Sequence, residues 1–429
     1  MQVLLKGVRV LNTEQNLDQK SDILIEDGII KEIGSIESGK YQSANVLELE
    51  GKICVPGLYD MHVHLREPGR EDEETVVTGC NSAAAGGFTG VACMPNTNPT
   101  IDTAEVVRFI AEKSEKHLVE VNPIGAVTNG RKGESLAPML ELADAGVVGF
   151  SDDGDVVKTS ALLRSALEYS QMIGAPIIEH CEDATMAGGA MNESKVSTQL
   201  GLPSIPTVAE DIIVVRGILL AEYTGGKFHV AHISSKRSVE LVREAKKRGV
   251  NVTAEVTPHH FTLSDGNIKS FNTNFKMNPP LREQKDVDAV IEGLQDGTID
   301  CIASDHAPHA VEEKEMEFIY APNGIIGLET QLGLALTELY HTNKLTFEQI
   351  IEKLSINPRK ILGLPVPKIS EGEKANLTII DPDLEWEVDV NKFKSKSKNS
   401  PFNKKKLKGA SVAVINKSKM FYNDESLNI

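Results

Sequence analysis

Asp60-Met61-His62-Val63-His64-Leu65-Arg66 is the stretch on which the fold turns. An apolar run at 53–58 leads into it, and Glu67-Pro68-Gly69 breaks out of it. That pattern predicts a buried strand ending in a loop. Side chains alternate along a strand, so His62 and His64 are expected on one face, with Arg66 next on it. Two imidazoles at a strand end can hold a metal ion. A guanidinium beside them can hold an anionic group. A lone His-x-His is as often an ordinary polar pair. Its weight here comes from the rest of the chain.

Working outward, residues 52–364 alternate β-branched apolar runs with segments of helical period. Strand candidates fall at 53–62, 89–94, 119–126, 147–150, 176–179, 228–231, 250–255 and 299–303. Helical spacing fills 103–116, 160–173, 205–224 and 235–248. Eight strand–helix units predict a closed α/β fold, the (β/α)8 TIM barrel, rather than an open sheet. No Gly-x-Gly-x-x-Gly follows the first strand, so a dinucleotide fold has no support. Residues 1–51 read as short strands, with Glu26-Asp27-Gly28 as a hairpin turn. Strand patterning returns over 365–429, as in Leu377-Thr378-Ile379-Ile380. Neither end has enough strands to stand alone, so the two are expected to pair in one small composite β-sandwich domain. The lysine-rich stretch 392–408 is expected to be a solvated surface loop.

The 429 residues carry a formal charge of −17, which argues against nucleic acid or an anionic membrane as main partner. No apolar run is long enough to span a bilayer, and residues 1–11 alternate like a strand rather than a signal peptide. The five cysteines, Cys54, Cys80, Cys93, Cys181 and Cys301, are scattered and form no Cys-x-x-Cys pair. Buried reduced thiols in a cytoplasmic protein are expected.

In a barrel the chemistry sits where strands end. The first candidate strand ends in His62 and His64, the second in Met94-Pro95-Asn96-Thr97, the fourth in Ser151-Asp152-Asp153-Gly154. The fifth ends in Glu179-His180-Cys181-Glu182, the sixth in Ala231-His232-Ile233-Ser234, the eighth in Ser304-Asp305-His306-Ala307-Pro308-His309. Histidine or aspartate therefore reaches one rim from five strands. Imidazole with carboxylate suits Zn2+, and a carboxylate can bridge two ions. So many candidates exceed what one tetrahedral ion needs. Two ions about 3.5–4 Å apart, with hydroxide between them, would use them. The reaction class that follows is hydrolysis of a carbonyl or phosphoryl substrate, with Asp305 as proton shuttle.

At these residues the chain resembles the amidohydrolase superfamily and, within it, the class I dihydroorotases. The likeness runs over nearly the whole length. Beyond the strand-end motifs it includes Met277-Asn278-Pro279-Pro280-Leu281-Arg282 and Gly327-Leu328-Glu329. It implies reversible closure of N-carbamoyl-L-aspartate to L-dihydroorotate, a step of pyrimidine (UMP) synthesis. It implies one zinc on His62, His64 and Asp305, a second on His180 and His232, and Asp153 as bridging carboxylate rather than Asp152. Arg66, Asn96 and His309 look like the clamp for the substrate carboxylate, with His64 beside it. Asn278, Asn323 and Gly324 look like the part that holds the ring. Many relatives have Pro-Phe-Gly where this chain has Pro322-Asn323-Gly324, so Asn323 departs from the pattern. Dihydropyrimidinases and allantoinases bridge their metals with a carboxylated lysine. Here Gly149-Phe150-Ser151-Asp152-Asp153 offers none before Lys158, which disfavours a lysine-bridged hydantoinase. Hydrolysis of another cyclic amide, and an inactive assembly partner, are the rival readings. A homodimer, with association to other pyrimidine-pathway enzymes, completes the expectation.

Overall fold

The apolar run that opens the barrel is divided at Gly57 into two strands that serve two sheets. In the computed structural model, which describes residues 2–37, 39–41 and 43–429, Ile53–Pro56 pairs with Gln2–Asn12 and Leu377–Glu387. Leu58–Val63 instead becomes the first barrel strand. The single strand expected over 53–62 is therefore two. A Cβ at Gly57 would lie 2.0 Å from Asn376 Oδ1 and 2.2 Å from Thr89 Oγ1. Only glycine lets the chain pass between the sheets there.

The other barrel strands are Phe88–Cys93, Glu120–Pro123, Phe150–Ser151, Ile177–Glu179, Phe228–Val230, Val252–Val256 and Cys301–Ile302. All the ladders between neighbours are parallel. A three-stranded and a five-stranded piece are joined by bridges between Gly125 and Phe150 and between Val63 and His306. The His64 N–H donates to His306 O at 2.9 Å, closing the cylinder at the expected metal-binding stretch. The strands are short, and the loops that follow them carry the polar residues.

Helices cover the outside. Ser160–Ile173 shows how the local code works: the Thr159 hydroxyl caps its first turn by accepting from Leu162 N. Gly174, at φ 77°, ends it in the left-handed conformation. Leu163, Ala166, Leu167 and Ser170 form its buried stripe. Inside the cylinder, Tyr59, Met61, Ala92, Ile124, Ile178 and Ala303 pack as a separate apolar plug. That plug fills the floor, leaving the opposite mouth for polar groups. All five cysteines are buried and none is in a disulfide.

The N- and C-terminal segments meet in a β-sandwich domain. Its nine strands run Glu425–Asn428, Lys419–Tyr422, Lys406–Asn416, Leu377–Glu387, Ile53–Pro56, Gln2–Asn12, Leu17–Glu26 and Ile29–Gly34, with Asn45–Glu48 pairing Gln2–Asn12 off that path. Its core draws Val3, Leu5, Val10 and Ile25 from one end, and Leu377, Ile379, Ile415 and Met420 from the other. Residues 392–408 are not the solvated loop that their lysines suggest. Ser395, Ser397, Asn399 and Ser400 are all buried. The Lys394 and Ser395 N–H groups donate to the Glu329 carboxylate at 3.0 Å, and Lys396 N–H to Glu74 at 3.1 Å. Lysines alternate with small polar residues, so one face of the segment is charged and outward. The other carries serine and asparagine inward.

Candidate metal centre and active site

Six side chains from five strand ends converge at the mouth. His62 Nε2 lies 3.5 Å from both Asp153 Oδ1 and Asp305 Oδ1. His64 Nε2 lies 2.9 Å from Asp305 Oδ1 and 3.6 Å from Asp153 Oδ2. His180 Nδ1 and His232 Nε2 face each other at 2.9 Å, and His232 Nε2 is 3.7 Å from Asp153 Oδ1. Ligand atoms of His62, His64 and Asp153, of His62, His232 and Asp305, and of Asp153, His180 and His232 form three groups, each within 4.8 Å. The neighbouring aspartates point apart. Asp152 accepts from Val127 N, Thr128 N and Thr128 Oγ1, which turns it away from the imidazoles.

Several features of this cluster suit a divalent cation. His62 Nε2 and Asp153 Oδ1 are buried and have no hydrogen-bond partner. Buried polar atoms are rarely left so. The other ring nitrogen of His62, Nδ1, sits 2.5 Å from Glu255 Oε1. A carboxylate in that place fixes the tautomer and turns Nε2 inward, as behind many metal-ligating histidines. Burial alone would lower the His62 pKa, but Glu255, Asp153 and Asp305 outweigh it and raise it well above its usual value. Burial would likewise raise Asp305, but His62 and His64 hold it below the usual carboxylate range. Three buried carboxylates thus favour a proton on His62 where a cation would displace it.

The second half of the mouth is built from loops. Arg66 Nε donates to Pro308 O at 3.1 Å and pairs with Glu73 Oε2 at 3.1 Å. The strand ends at Val63, so Arg66 does not arrive by strand alternation. It arrives through a left-handed backbone at φ 61°. His232 and Asp305 also have positive φ, 31° and 45°. Such conformations cost roughly 1–3 kcal/mol each and persist only where the surroundings enforce them. Asn96 Oδ1 lies 2.8 Å from His64 Nδ1. The Asn278 amide reaches Glu182 Oε2 at 2.9 Å and His180 Nε2 at 3.2 Å. His309 Nδ1 lies 3.0 Å from Glu73 Oε1, and its Nε2 lies 2.8 Å from Asn323 O. Arg66, Asn96, Asn278, His309 and Asn323 line one cavity of about 220 Å³ together with His64, Asp153, His180, His232 and Asp305. His62 lies wholly buried against the cluster. Gly324 touches the His309 ring: a Cβ there would stand 2.6 Å from His309 Cδ2.

Four contributors escaped the sequence. Glu255 is the penultimate residue of the seventh barrel strand, and an acid inside Val252-Thr253-Ala254-Glu255-Val256 was the available signal. Glu73 joins Arg66 to His309 but sits in an ordinary charged run. Lys276 and Lys314 are buried and spend their ammonium protons on loop carbonyls. Lys276 Nζ donates to Ile319 and Ala321 at 2.7 Å, and Lys314 Nζ to Pro322 at 2.9 Å and Gly324 at 3.2 Å. They pin the charged stretch 306–322, which contains the short helix Val311–Lys314. Among the described residues, no helix is long and apolar enough to cross a membrane.

Comparison with known proteins places this geometry. Residues 51–238 match the family model described as dihydro-orotase-like. The chain is 52% identical over 410 residues to a dihydroorotase of Acetivibrio thermocellus, covering 95% of this chain and 96% of the relative. It is 48% identical over 427 residues to a dihydroorotase of Syntrophus aciditrophicus, covering 99% and 100%. Among solved structures, the L-hydantoinase (dihydropyrimidinase) from Arthrobacter aurescens superposes with a TM-score of 0.87 at 26% identity, over 99% of this chain and 97% of that one. A dihydropyrimidinase from Brevibacillus agri shares the fold, with a TM-score of 0.84 at 20% identity over 99% and 95%.

Proposed function

The chain belongs to the dihydroorotase family, hydrolases of cyclic amide C–N bonds, and on that premise we propose that it interconverts N-carbamoyl-L-aspartate and L-dihydroorotate in pyrimidine synthesis. One observation supports the substrate most directly. The histidine–aspartate cluster and the pair Arg66 and His309 open on the same cavity. A ring amide can thus meet the first while its carboxylate meets the second.

In this reading the resident metal is zinc, as one or two ions. His62, His64 and Asp305 hold one site, His180 and His232 the other, and Asp153 lies between them. Bound there, zinc supplies Lewis acidity that polarises the ring carbonyl and makes water acidic enough to react near neutral pH. Asp305 does the proton work. Its carboxylate takes the proton from the attacking water and gives it to the departing ring nitrogen. In ring closure it takes that proton from the ureido nitrogen and returns it to the leaving oxygen. Glu255 keeps His62 oriented. Arg66, Asn96 and His309 bind the carboxylate, a planar anion suited to a guanidinium fork. Asn278 and the Asn323–Gly324 backbone border the ring.

The hydantoinase-like solved structures support a second reading, a cyclic amide without a carboxylate. That substrate would offer Arg66 and His309 no carboxylate to bind. The proposed compartment is the cytoplasm, in keeping with the buried, unpaired thiols. The proposed assembly is a homodimer, for which exposed Ile212, Leu219 and Tyr223 on the helix Val208–Thr224 offer an apolar face.

Metal analysis with an assay of dihydroorotate ring opening tests the function. Zinc-loaded protein should open dihydroorotate and lose activity to a chelator. Turnover of dihydrouracil but not dihydroorotate would move the assignment to the second reading.

A further inference from the structure

We propose that Asn399, in the C-terminal segment outside the barrel, is a positioning residue that sets the carboxylate-binding side of the active site. The inference rests on the dihydroorotase reading and extends it to a part of the chain that carries no catalytic chemistry.

The Asn399 side chain is buried and its amide is fully used. Oδ1 accepts from the His309 N–H at 3.2 Å. Nδ2 donates to Ala307 O at 2.9 Å and to Gly324 O at 3.0 Å. Its own carbonyl accepts from Ile326 N at 3.0 Å. One side chain thus ties together the two backbone stretches that present His309 and Asn323–Gly324 to substrate. These stretches meet with little slack. A Cβ on Gly324 would fall 2.6 Å from the His309 ring and 2.7 Å from Ala307 O. A shift of a few tenths of an ångström between them changes where the His309 ring sits.

Asn399 is itself anchored. Ser395 Oγ donates to the Glu74 carboxylate, and Ser397 Oγ donates to Glu73 O at 2.7 Å. Glu73 is the acid that pairs with both Arg66 and His309. The segment therefore touches both arms of the proposed clamp, one through Asn399 and the other through Glu73 and its neighbour Glu74. Asn399 and Ser397 make no hydrogen bond to His62, Asp153 or Asp305; the nearest approach is Glu74, which meets the ring of His306, the residue after Asp305, at 3.3 Å. A fault in the segment should weaken substrate binding and spare the chemistry.

Asn399→Ala removes two donors and one acceptor from buried backbone groups. Asn399→Asp keeps the shape and the acceptor but cannot donate to Ala307 or Gly324. Both variants are compared with wild type for KM and kcat on dihydroorotate, zinc content and melting temperature. The expected result is KM raised about tenfold in both, kcat within about threefold, and zinc content unchanged. Orotate, which carries the same carboxylate, should bind each variant correspondingly more weakly by calorimetry. Folded variants with wild-type KM, or with kcat lost at constant KM, would overturn the proposal. If neither variant folds, orotate titration of Ser397→Ala, which loosens the same segment, decides, and wild-type affinity there overturns it too. Wild type that fails to open dihydroorotate at all would instead sink the functional reading, a result separate from these.

Discussion

The mouth of the barrel has two halves built on opposite principles. On the metal side, each of the six ligand candidates stands at a strand end or one to three residues past it. Parallel pairing fixes their mutual positions. On the anion side, Arg66, His309 and Asn323 lie on loops and reach the cavity through a left-handed turn, two buried lysines and an asparagine from the C-terminal segment. The proposed metal ligands are given the rigid scaffold. The proposed carboxylate clamp is given the variable one, held from outside.

Variants should separate the halves. The largest effect falls on the metal side. Asp305→Asn should retain metal and lose about 10²–10⁴-fold in kcat, the usual range for removing a proton-transfer group. Normal turnover would remove its proton role. Next, Glu255→Gln should weaken zinc affinity about 10–100-fold, read by competition with a chelator, because it frees the His62 ring. On the anion side, Arg66→Ala should raise KM about tenfold or more with a smaller change in kcat. An unchanged response to substrate concentration would strike Arg66 from the clamp. Glu73→Gln should do the same more weakly, about threefold in KM, since it only steers Arg66 and His309.

The smallest effect concerns pH. Burial, and then Lys276, lower Lys314 from 10.5 to about 7. Between those values the folded protein binds fewer protons than the unfolded chain, so this lysine makes stability rise with pH across that window. Below about pH 7 its full penalty is present. Lys314→Met should flatten that slope in melting temperatures measured from pH 7 to 10, while losing the two bonds to the loop. An identical slope in both proteins would show that Lys314 is not the source.

Sequence legibility follows the same divide. Strand ends announce themselves, because an apolar β-branched run stops and a polar residue follows. His62, His180, His232 and Asp305 could be placed that way, and so could the barrel. Asp153 could not be told from Asp152 by alternation alone. Its proposed role came from resemblance; in the structure Asp152 is occupied by the Thr128 turn, while Asp153 faces the imidazoles. Arg66 was expected by alternation, yet the strand had already ended, and a positive φ does the aiming. Asn399 was hidden because the lysines around it dominate the composition, while the period-two pattern beneath them turns serine and asparagine inward. Glu255 was hidden because burial of a charge depends on partners, here His62 and His229, that lie far away along the chain.

The sheet that joins the two termini has a consequence for how the molecule is made. Gln2–Asn12 and Ile53–Pro56 are synthesised some 300 residues ahead of Leu377–Glu387 and Lys406–Asn416, which extend their sheet. During translation the outer edge of Ile53–Pro56 waits unpaired until Leu377–Glu387 has emerged. A chain cut short before Leu377 would present Ile53–Pro56 as a bare edge strand for proteases and chaperones to recognise.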